Sequence, residues 1–521
     1  VTGSHPQLRG WDGPWAGVRV AVLGLGVTGF SAADTLAELG CRVVVVDGSS
    51  TPKKELDAQT LRIVGVEDIR LGAAAVDELP LIGDQAPELI ITSPGWRPDS
   101  AIMQQAAAEH VPVWSDIQLA RRLGARPGAR QPQWLVLTGT NGKTTTVTLL
   151  ESMLQAAGRR AVACGNIGMP ILDAIRDPEG YDALAVELSS FQLHYTEALN
   201  PLASAVLNIA EDHVDWHGSM AGYIADKAKI YTGTEVACVY NVADPVTEQM
   251  VASADVAEGC RAIGFTTDTP DVSMLGMVRA EDGHDILVDR AFLDNRRHQA
   301  LELAVRSDFG PMAPQHLVAN ALAAAALARA AGAEPEAIRT AIQSYEAGDH
   351  RIQPVAKAAD ILWVNDSKAT NPHAAAASLS SFSEIVWIAG GLPKGVNYDE
   401  LVRQVAPRLR QVILIGTDSS QLRSSLERHA PQVPVIGGGV SEDETQNQTG
   451  SDTPPPVEDL LRSADGTAAM RAAVAQAHRL ATAGQTVLLS PAAASMDQFA
   501  SYAARGEAFI EAVAELMEGP A

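Results

Sequence analysis

Cysteine is scarce in this chain. There are four in 521 residues, at Cys41, Cys164, Cys238 and Cys260, and none forms a C-x-x-C pair. That spacing excludes a disulfide framework or a zinc ribbon and predicts reduced, buried thiols. Positive charge is short as well: 39 Lys and Arg stand against 63 Asp and Glu, a net charge of −24. Such a balance argues against a protein that holds nucleic acid by general phosphate attraction. It leaves room for a small phosphorylated ligand, which needs only a few local donors. No apolar run reaches the ~18 residues of a membrane span. The opening "VTGSHPQLRGWDGPW" lacks a hydrophobic signal core and is read as a short tail. No repeat of solenoid period occurs. The expectation is a cytoplasmic globular protein.

What is present is a punctuated α/β pattern. At 521 residues the chain exceeds a single core, and 46% hydrophobic with 20% charged residues is ordinary globular composition. Three blocks are expected, over residues 1–115, 116–347 and 348–521. The first contains "VRVAVLGLG", "SAADTLAELG" and "CRVVVVDG", which read as strand, glycine loop, helix and strand, with "ELIITSPG" and "VPVWSD" as later strands. The segment "RRLGARPGARQPQ" interrupts the pattern and marks the first boundary. The second block has "QWLVLTG", "AVACGN", "ALAVELS" and "ASAVLNI" as strands and "ANALAAAALARAAG" as a helix. In the third, "ILWVND", "EIVWIAGG", "QVILIG" and "TVLLSP" alternate with helical stretches and imply a parallel sheet. The polar stretch at 437–457 reads as a surface insertion.

Two loops carry phosphate chemistry. Gly24, Gly26 and Gly29 match G-x-G-x-x-G, and Asp47 ends the next strand where a ribose carboxylate would sit. Read alone, this is a dinucleotide site, although a loop of this kind positions any diphosphate at a helix start. The stronger signal is "LVLTGTNGKTTT": a strand ends in Gly139, Thr140, Asn141, Gly142, Lys143 and Thr144, and a helix follows. Backbone N–H groups there can turn onto phosphate oxygens, Lys143 can reach β/γ-phosphates, and the Thr144 hydroxyl can ligate Mg²⁺. Leu137 stands six residues before Lys143 where the full P-loop pattern has glycine, so the loop is a shortened relative. With no nicotinamide-side catalytic group in view, an ATP-driven reaction on a nucleotide-bearing substrate accounts for both loops.

Further acids and a histidine follow on strand ends. Glu187 closes "ALAVE", where P-loop proteins hold Mg²⁺, with a solvated strand-end carboxylate as the alternative. His213 lies in the acid-rich turn "EDHVDWHGS". Lys227 and Lys229 lie beyond it, and residue physics alone does not choose between site and surface for them.

The pieces "GTNGKTTT", "GNIG", "ELSSFQL", "EDHVDWHGS", "YIADKAKIY", "NALAAAALA", "DHR", "NDSKATNP", "GGLPKG" and "LLSPAAASMDQF" resemble, in order, those of the Mur ligase family. The resemblance implies an α/β fold of three domains, with a Rossmann-like N-terminal domain, a P-loop-type central ATPase and a Rossmann-like C-terminal domain. It implies an ATP-dependent ligase joining D-glutamate to UDP-N-acetylmuramoyl-L-alanine; L-alanine-adding and folate-related members are the nearest alternatives. Val27, Thr28, Gly29, Asp47 and Ser93 would then hold the UDP end, with Asn166 and Ser189 helping to place the substrate. ATP would meet Gly139, Thr140, Asn141, Gly142, Lys143, Thr144 and Thr145, together with Asn320, Arg351 and Asp366. Two Mg²⁺ ions would be held by Thr144, Glu187, His213 and Lys227, the lysine being carbamylated in this family. Lys368, Thr370, Lys394, Ser495 and Tyr502 would hold D-glutamate. Leu317 and Leu392 depart from the family pattern. No nucleic-acid partner and no membrane span are implied, and a monomer is expected.

Overall fold

Strand β1 (Arg19–Leu23) is buried from Val20 onward, and β2 (Arg42–Asp47) is buried after its first residue. Apolar runs covered on both faces belong in a parallel sheet with helices above and below. With β3 (Asp68–Leu71), β4 (Leu89–Thr92) and β5 (Val113–Ser115) they form an all-parallel sheet in the order β3-β2-β1-β4-β5. The order reverses between β1 and β4, which opens a ligand crevice beyond their carboxyl ends. The first glycine loop lies there. The computed structural model describes residues 5–310, 313–346, 348–392, 395–438 and 456–518.

The second sheet has nine strands among the described residues: β6 (Gln133–Thr138), β7 (Ala161–Gly165), β8 (Ala183–Glu187), β9 (Ala203–Val206), β10 (Ala237–Asn241), β11 (Arg261–Phe265), β12 (Met274–Arg279), β13 (Asp285–Asp289) and β14 (Leu301–Val305). Their order is β14-β13-β12-β11-β10-β9-β6-β8-β7. From β7 to β12 the pairing is parallel, and β12, β13 and β14 add an antiparallel ribbon that the sequence reading did not anticipate. Strand β6 is flanked by β8 and β9, so the ends of these three strands converge. The alanine-rich helix Gln315–Ala330 buries Ala321 through Ala328 against this sheet, where small side chains permit close packing.

The third sheet, β15-β16-β20-β17-β18-β19, is formed by β15 (Gln353–Ala358), β16 (Ile361–Asn365), β17 (Ile385–Gly390), β18 (Leu409–Ile415), β19 (Val435–Ile436) and β20 (Thr486–Leu489). It is parallel except for the hairpin partner β15. Compactness divides the chain into two units. One runs to Ala313 and includes Leu317–Tyr345, holding the first two sheets; the other comprises Pro314–His316 and the chain from Glu346, holding the third. All four cysteines are free, and Cys41, Cys164 and Cys238 are buried. Residues 439–455 of the expected insertion lie outside the described residues.

Candidate active site

The chain leaves β6 at Thr138 and makes the loop Gly139–Gly142 before the helix Lys143–Ala156. Gly142 has φ +82, and a Cβ there would lie 2.4 Å from Asn320 Oδ1, so glycine is required both by conformation and by space. That contact also puts Asn320 beside the loop. Asn208, just beyond β9, braces the loop from the side. Its backbone carbonyl accepts from Thr140 N at 2.9 Å and its Oδ1 accepts from Asn141 N at 2.8 Å. Thr140 Oγ1 accepts from Ala210 N at 2.9 Å and lies 2.9 Å from the Tyr223 hydroxyl. Lys143 Nζ donates to the carbonyls of Gly139 and Thr140, both at 2.9 Å, and so folds back across the loop. Thr144 and Thr145 follow in the first helical turn, whose leading N–H groups have no acceptor within the helix.

Two further groups converge on this loop. Glu187, 1% exposed at the end of β8, accepts from Asn166 Nδ2 at 3.0 Å through Oε1. Its Oε2 is buried without a hydrogen-bond partner among the described residues. A buried carboxylate oxygen left unpaired is costly, and a cation is the group that would satisfy it. Lys227, 2% exposed on the helix Met220–Ala228, donates from Nζ to Thr138 Oγ1 and to the Gly139 carbonyl, both at 3.0 Å. Burial pushes its ammonium well below the usual range, and repulsion from Lys143 adds to the effect, against the opposing pull of Asp212 and Glu187. His213 sits in the left-handed region at φ +52 as N-cap of Val214–His217, 3.4 Å from Asp212 Oδ2 and against the Phe191 ring. Lys143, Asn320, Glu187 and Lys227 are thus placed around the ends of β6 and β8, and His213 lies in the turn that follows β9.

At the first glycine loop, a Cβ on Gly29 would lie 1.8 Å from the Gly24 carbonyl oxygen, so the helix Val27–Glu38 can start there only with glycine. Gly26 caps that helix with no side-chain bond, and Val27 is exposed. Ser93, after β4, is 3.4 Å from the Gly24 carbonyl. Asp47 does local work: it accepts from Leu25 N at 2.7 Å, from Ser49 N at 2.9 Å and from Lys54 Nζ at 2.6 Å. Burial opposes its charge, but these bonds outweigh burial and hold the carboxyl below the ordinary range. Ser189 likewise has a local task, forming a capping box with Gln192. The Ser93 loop reaches the His213 turn, since Arg97 Nη1 meets Asp215 Oδ2 at 3.0 Å and Trp216 Nε1 donates to the Gly95 carbonyl at 3.3 Å.

In the second unit, Asp366 is buried at the end of β16, accepting from Ser490 Oγ at 3.0 Å and Ile352 N at 3.3 Å. Burial pushes its carboxyl up to about 7. Lys368 Nζ lies 3.7 Å from the centre of the Tyr502 ring, a cation–π contact that joins two expected residues. Thr370 N donates to the Lys368 carbonyl at 2.8 Å, and Ser495 is buried on the loop after β20. Arg351 acts electrostatically on Asp366. Lys394 lies outside the described residues. Of the two departures, Leu317 packs on the core of the second sheet, whereas Leu392 is exposed and donates its N–H to the Ala494 carbonyl at 2.9 Å.

The sequence matches the pattern of a Mur ligase MurD-like N-terminal domain over residues 18–115, a Mur ligase middle domain over 137–328, and a Mur ligase glutamate ligase domain over 350–493. It is 51% identical over 499 residues to a UDP-N-acetylmuramoylalanine–D-glutamate ligase of Streptomyces avermitilis, covering 96% of this chain and 98% of that one. The chain belongs to the Mur ligase family. A second relative of the same name, from Streptomyces coelicolor, is 49% identical over 96% of this chain and 99% of its own. Among solved structures, a pseudomurein peptide ligase type C from Methanothermus fervidus shares the fold, with a TM-score of 0.53 at 15% identity, over 95% of this chain and all of that one.

A Mur ligase fold brings in residues that sequence reasoning missed. Arg505 is 1% exposed and donates to Ser367 Oγ and the Ser367 carbonyl, both at 3.0 Å, and to the carbonyls of Ala493 and Ala494. It ties the loop after β16 to the loop after β20. Gln192 donates to both oxygens of buried Asp116. Arg505 had no sequence signal beyond an arginine on a helical stretch, whereas Gln192 lies within "ELSSFQL" but was given no role there.

Proposed function

We propose that this Mur ligase adds D-glutamate to UDP-N-acetylmuramoyl-L-alanine at the expense of ATP, in peptidoglycan precursor synthesis. Near full-length similarity to ligases of that name carries the reading. A carboxylate resists attack by an amine because its charge repels the nucleophile and oxide cannot leave. Transfer of the γ-phosphoryl group makes an acyl phosphate, from which phosphate can leave. The D-glutamate amine then attacks the carbonyl carbon, the C–O bond to phosphate breaks, and amide, ADP and phosphate result. Phosphoryl transfer demands mainly alignment and charge neutralisation.

The chain's own groups fit those demands. The backbone of Gly139–Gly142 with Thr144 and Thr145 cradles the triphosphate, and Lys143 swings from its two loop carbonyls onto the β/γ-oxygens. Asn320, Arg351 and Asp366 serve the nucleotide. Two Mg²⁺ ions would neutralise phosphate charge, held by Thr144 with Glu187 and by His213 with Lys227. Glu187 Oε2, without a hydrogen-bond partner among the described residues, would accept such a cation, and the Lys227 amine, once unprotonated, would add to CO₂ and release a proton, giving an anionic carbamate. Val27, Thr28 and Gly29 hold the diphosphate at an open helix start, with Asp47 and Ser93 bracing that loop and Asn166 and Ser189 near the muramoyl end. Lys368, Thr370, Lys394, Ser495 and the backbone at Tyr502 meet D-glutamate, the lysines matching its carboxylates. The UDP, ATP and amino-acid tasks divide over residues 1–115, 116–347 and 348–521. Among the described residues no helix is long and apolar enough to cross a membrane, and a cytoplasmic monomer is in keeping with soluble substrates.

The test is phosphate release from ATP with UDP-N-acetylmuramoyl-L-alanine, screened over D- and L-amino acids. Release with D-glutamate is expected. Release with L-amino acids alone, or none at all, overturns the reading.

A further inference from the structure

One residue before Lys227, Asp226 faces a different set of partners. Successive helical side chains point about 100° apart, so when Lys227 reaches the phosphate loop Asp226 must look elsewhere. Its Oδ2 accepts from Nδ1 of His194 and from Nδ1 of His217, both at 2.8 Å, and its Oδ1 meets Lys229 Nζ at 2.9 Å. His217 Nε2 lies 2.9 Å from Ser190 Oγ, and the imidazole has no exposed side-chain surface. Lys229 Nζ also donates to the His194 carbonyl at 2.9 Å.

The segments joined in this way are those expected to carry the metal-facing groups. Ser190 opens the helix three residues after Glu187. His217 closes the turn capped by His213, and its N–H donates to the His213 carbonyl at 3.2 Å. Asp226 shares its helix with Lys227. Phe191 stacks on His217 with its ring 5.8 Å away and 5° from parallel, filling the space between the first two segments.

We propose that Asp226, His217 and His194 are positioning residues: their shared network registers the Glu187, His213 and Lys227 segments and keeps the Lys227 amine turned to the phosphate loop, where it can take up CO₂. The inference rests on the carbamate reading given above. The same three side chains have the donor types of a divalent-metal site, all within 4.8 Å of one another. However, both Nδ1 atoms already share one carboxylate oxygen, and an ammonium occupies the other. Protons satisfy the cluster.

The test uses full-length protein in ¹³C-bicarbonate, with carbamate read by ¹³C NMR. Wild type is expected to show a carbamate signal that Lys227→Arg removes. His217→Phe, which keeps bulk but cannot donate, should lose most of that signal and raise the Mg²⁺ half-saturation of phosphate release about tenfold, as loss of an orienting partner does. The KM for the UDP-substrate should not move. His217→Asn, whose amide can still donate to Asp226, should recover much of the signal. Should His217→Phe fail to fold, Asp226→Asn is read in its place, with the same loss expected. A wild-type protein without the signal overturns the carbamate reading and this inference with it. A folded His217→Phe or Asp226→Asn with full signal and unchanged Mg²⁺ dependence overturns the inference alone. Stoichiometric Zn²⁺ uptake that His217→Phe abolishes also overturns it, in favour of a metal site.

Discussion

Lys143→Ala isolates the phosphate loop from the rest of the molecule. In the free protein Nζ is bonded to the Gly139 and Thr140 carbonyls at 2.9 Å, so its loss removes two charge-assisted bonds. The loop keeps its outline through Asn208, which holds Thr140 N and Asn141 N independently. In the reaction the ammonium would sit near the transferring phosphoryl group. At ~4 Å and an effective dielectric of ~20, one charge pair is worth about 4 kcal/mol. That corresponds to about a thousandfold in rate. Lys143 also adds, after burial, to the lowering of the Lys227 ammonium, so its removal shifts Lys227 toward the charged form. Turnover measured by phosphate release should therefore fall by at least about a thousandfold. Calorimetric affinity for the UDP-substrate should hold, because the Gly24–Gly29 loop belongs to a different sheet. A variant that keeps turnover within about tenfold of wild type, or that loses UDP-substrate affinity in parallel, would refute the assignment of the two loops.

Gly29→Ala should show the converse, because its Cβ would collide with the Gly24 carbonyl at 1.8 Å; calorimetry should find weaker UDP-substrate binding with ATP-analogue binding retained. Asp116 gives a pH prediction. Burial pushes its carboxyl up to about 6 in the folded protein against ~3.9 when unfolded. The stability it contributes is thus complete below ~3.9 and lost as pH rises through about 6, a change of up to about 3 kcal/mol. Asp116→Asn should remove that slope, so its melting temperature relative to wild type should climb between pH 4 and 7.5. A difference independent of pH would contradict the buried carboxylate. Arg505→Met should leave the buried carbonyls of Ser367 and Ala493 without their donor, while Ala494 keeps the Leu392 N–H, at a cost of at least about 3 kcal/mol. It should also raise the KM for D-glutamate more than that for ATP, checked by steady-state kinetics and thermal melting.

Much of this was legible from the chain because the relevant signals are local. A strand running into "GTNGKTTT" specifies its own turn: Gly142 supplies the left-handed step, and the helix begins at Lys143. The β1 and β2 runs declared themselves parallel and covered on both faces by lacking polar alternation. By contrast, β12, β13 and β14 form an antiparallel ribbon whose short, half-polar segments resemble loops until they pair. Asp47 and Ser189 were expected at the substrate, and the structure shows each bonded to its own neighbourhood, a competition between local and ligand contacts that spacing cannot resolve.

Residue types and order determined the α/β architecture, the two glycine loops at helix starts and the candidate acids at strand ends, because each depends on backbone geometry within a few residues. Only the tertiary structure decided which of those groups meet. It turned Lys227 and not Lys229 to the loop after β6, left Glu187 Oε2 without a partner among the described residues, and gathered Ser190, His194, His217 and Asp226 from three segments into one network. Such choices are made by burial and by pairing between distant stretches. Their energies exist only once the intervening chain has folded.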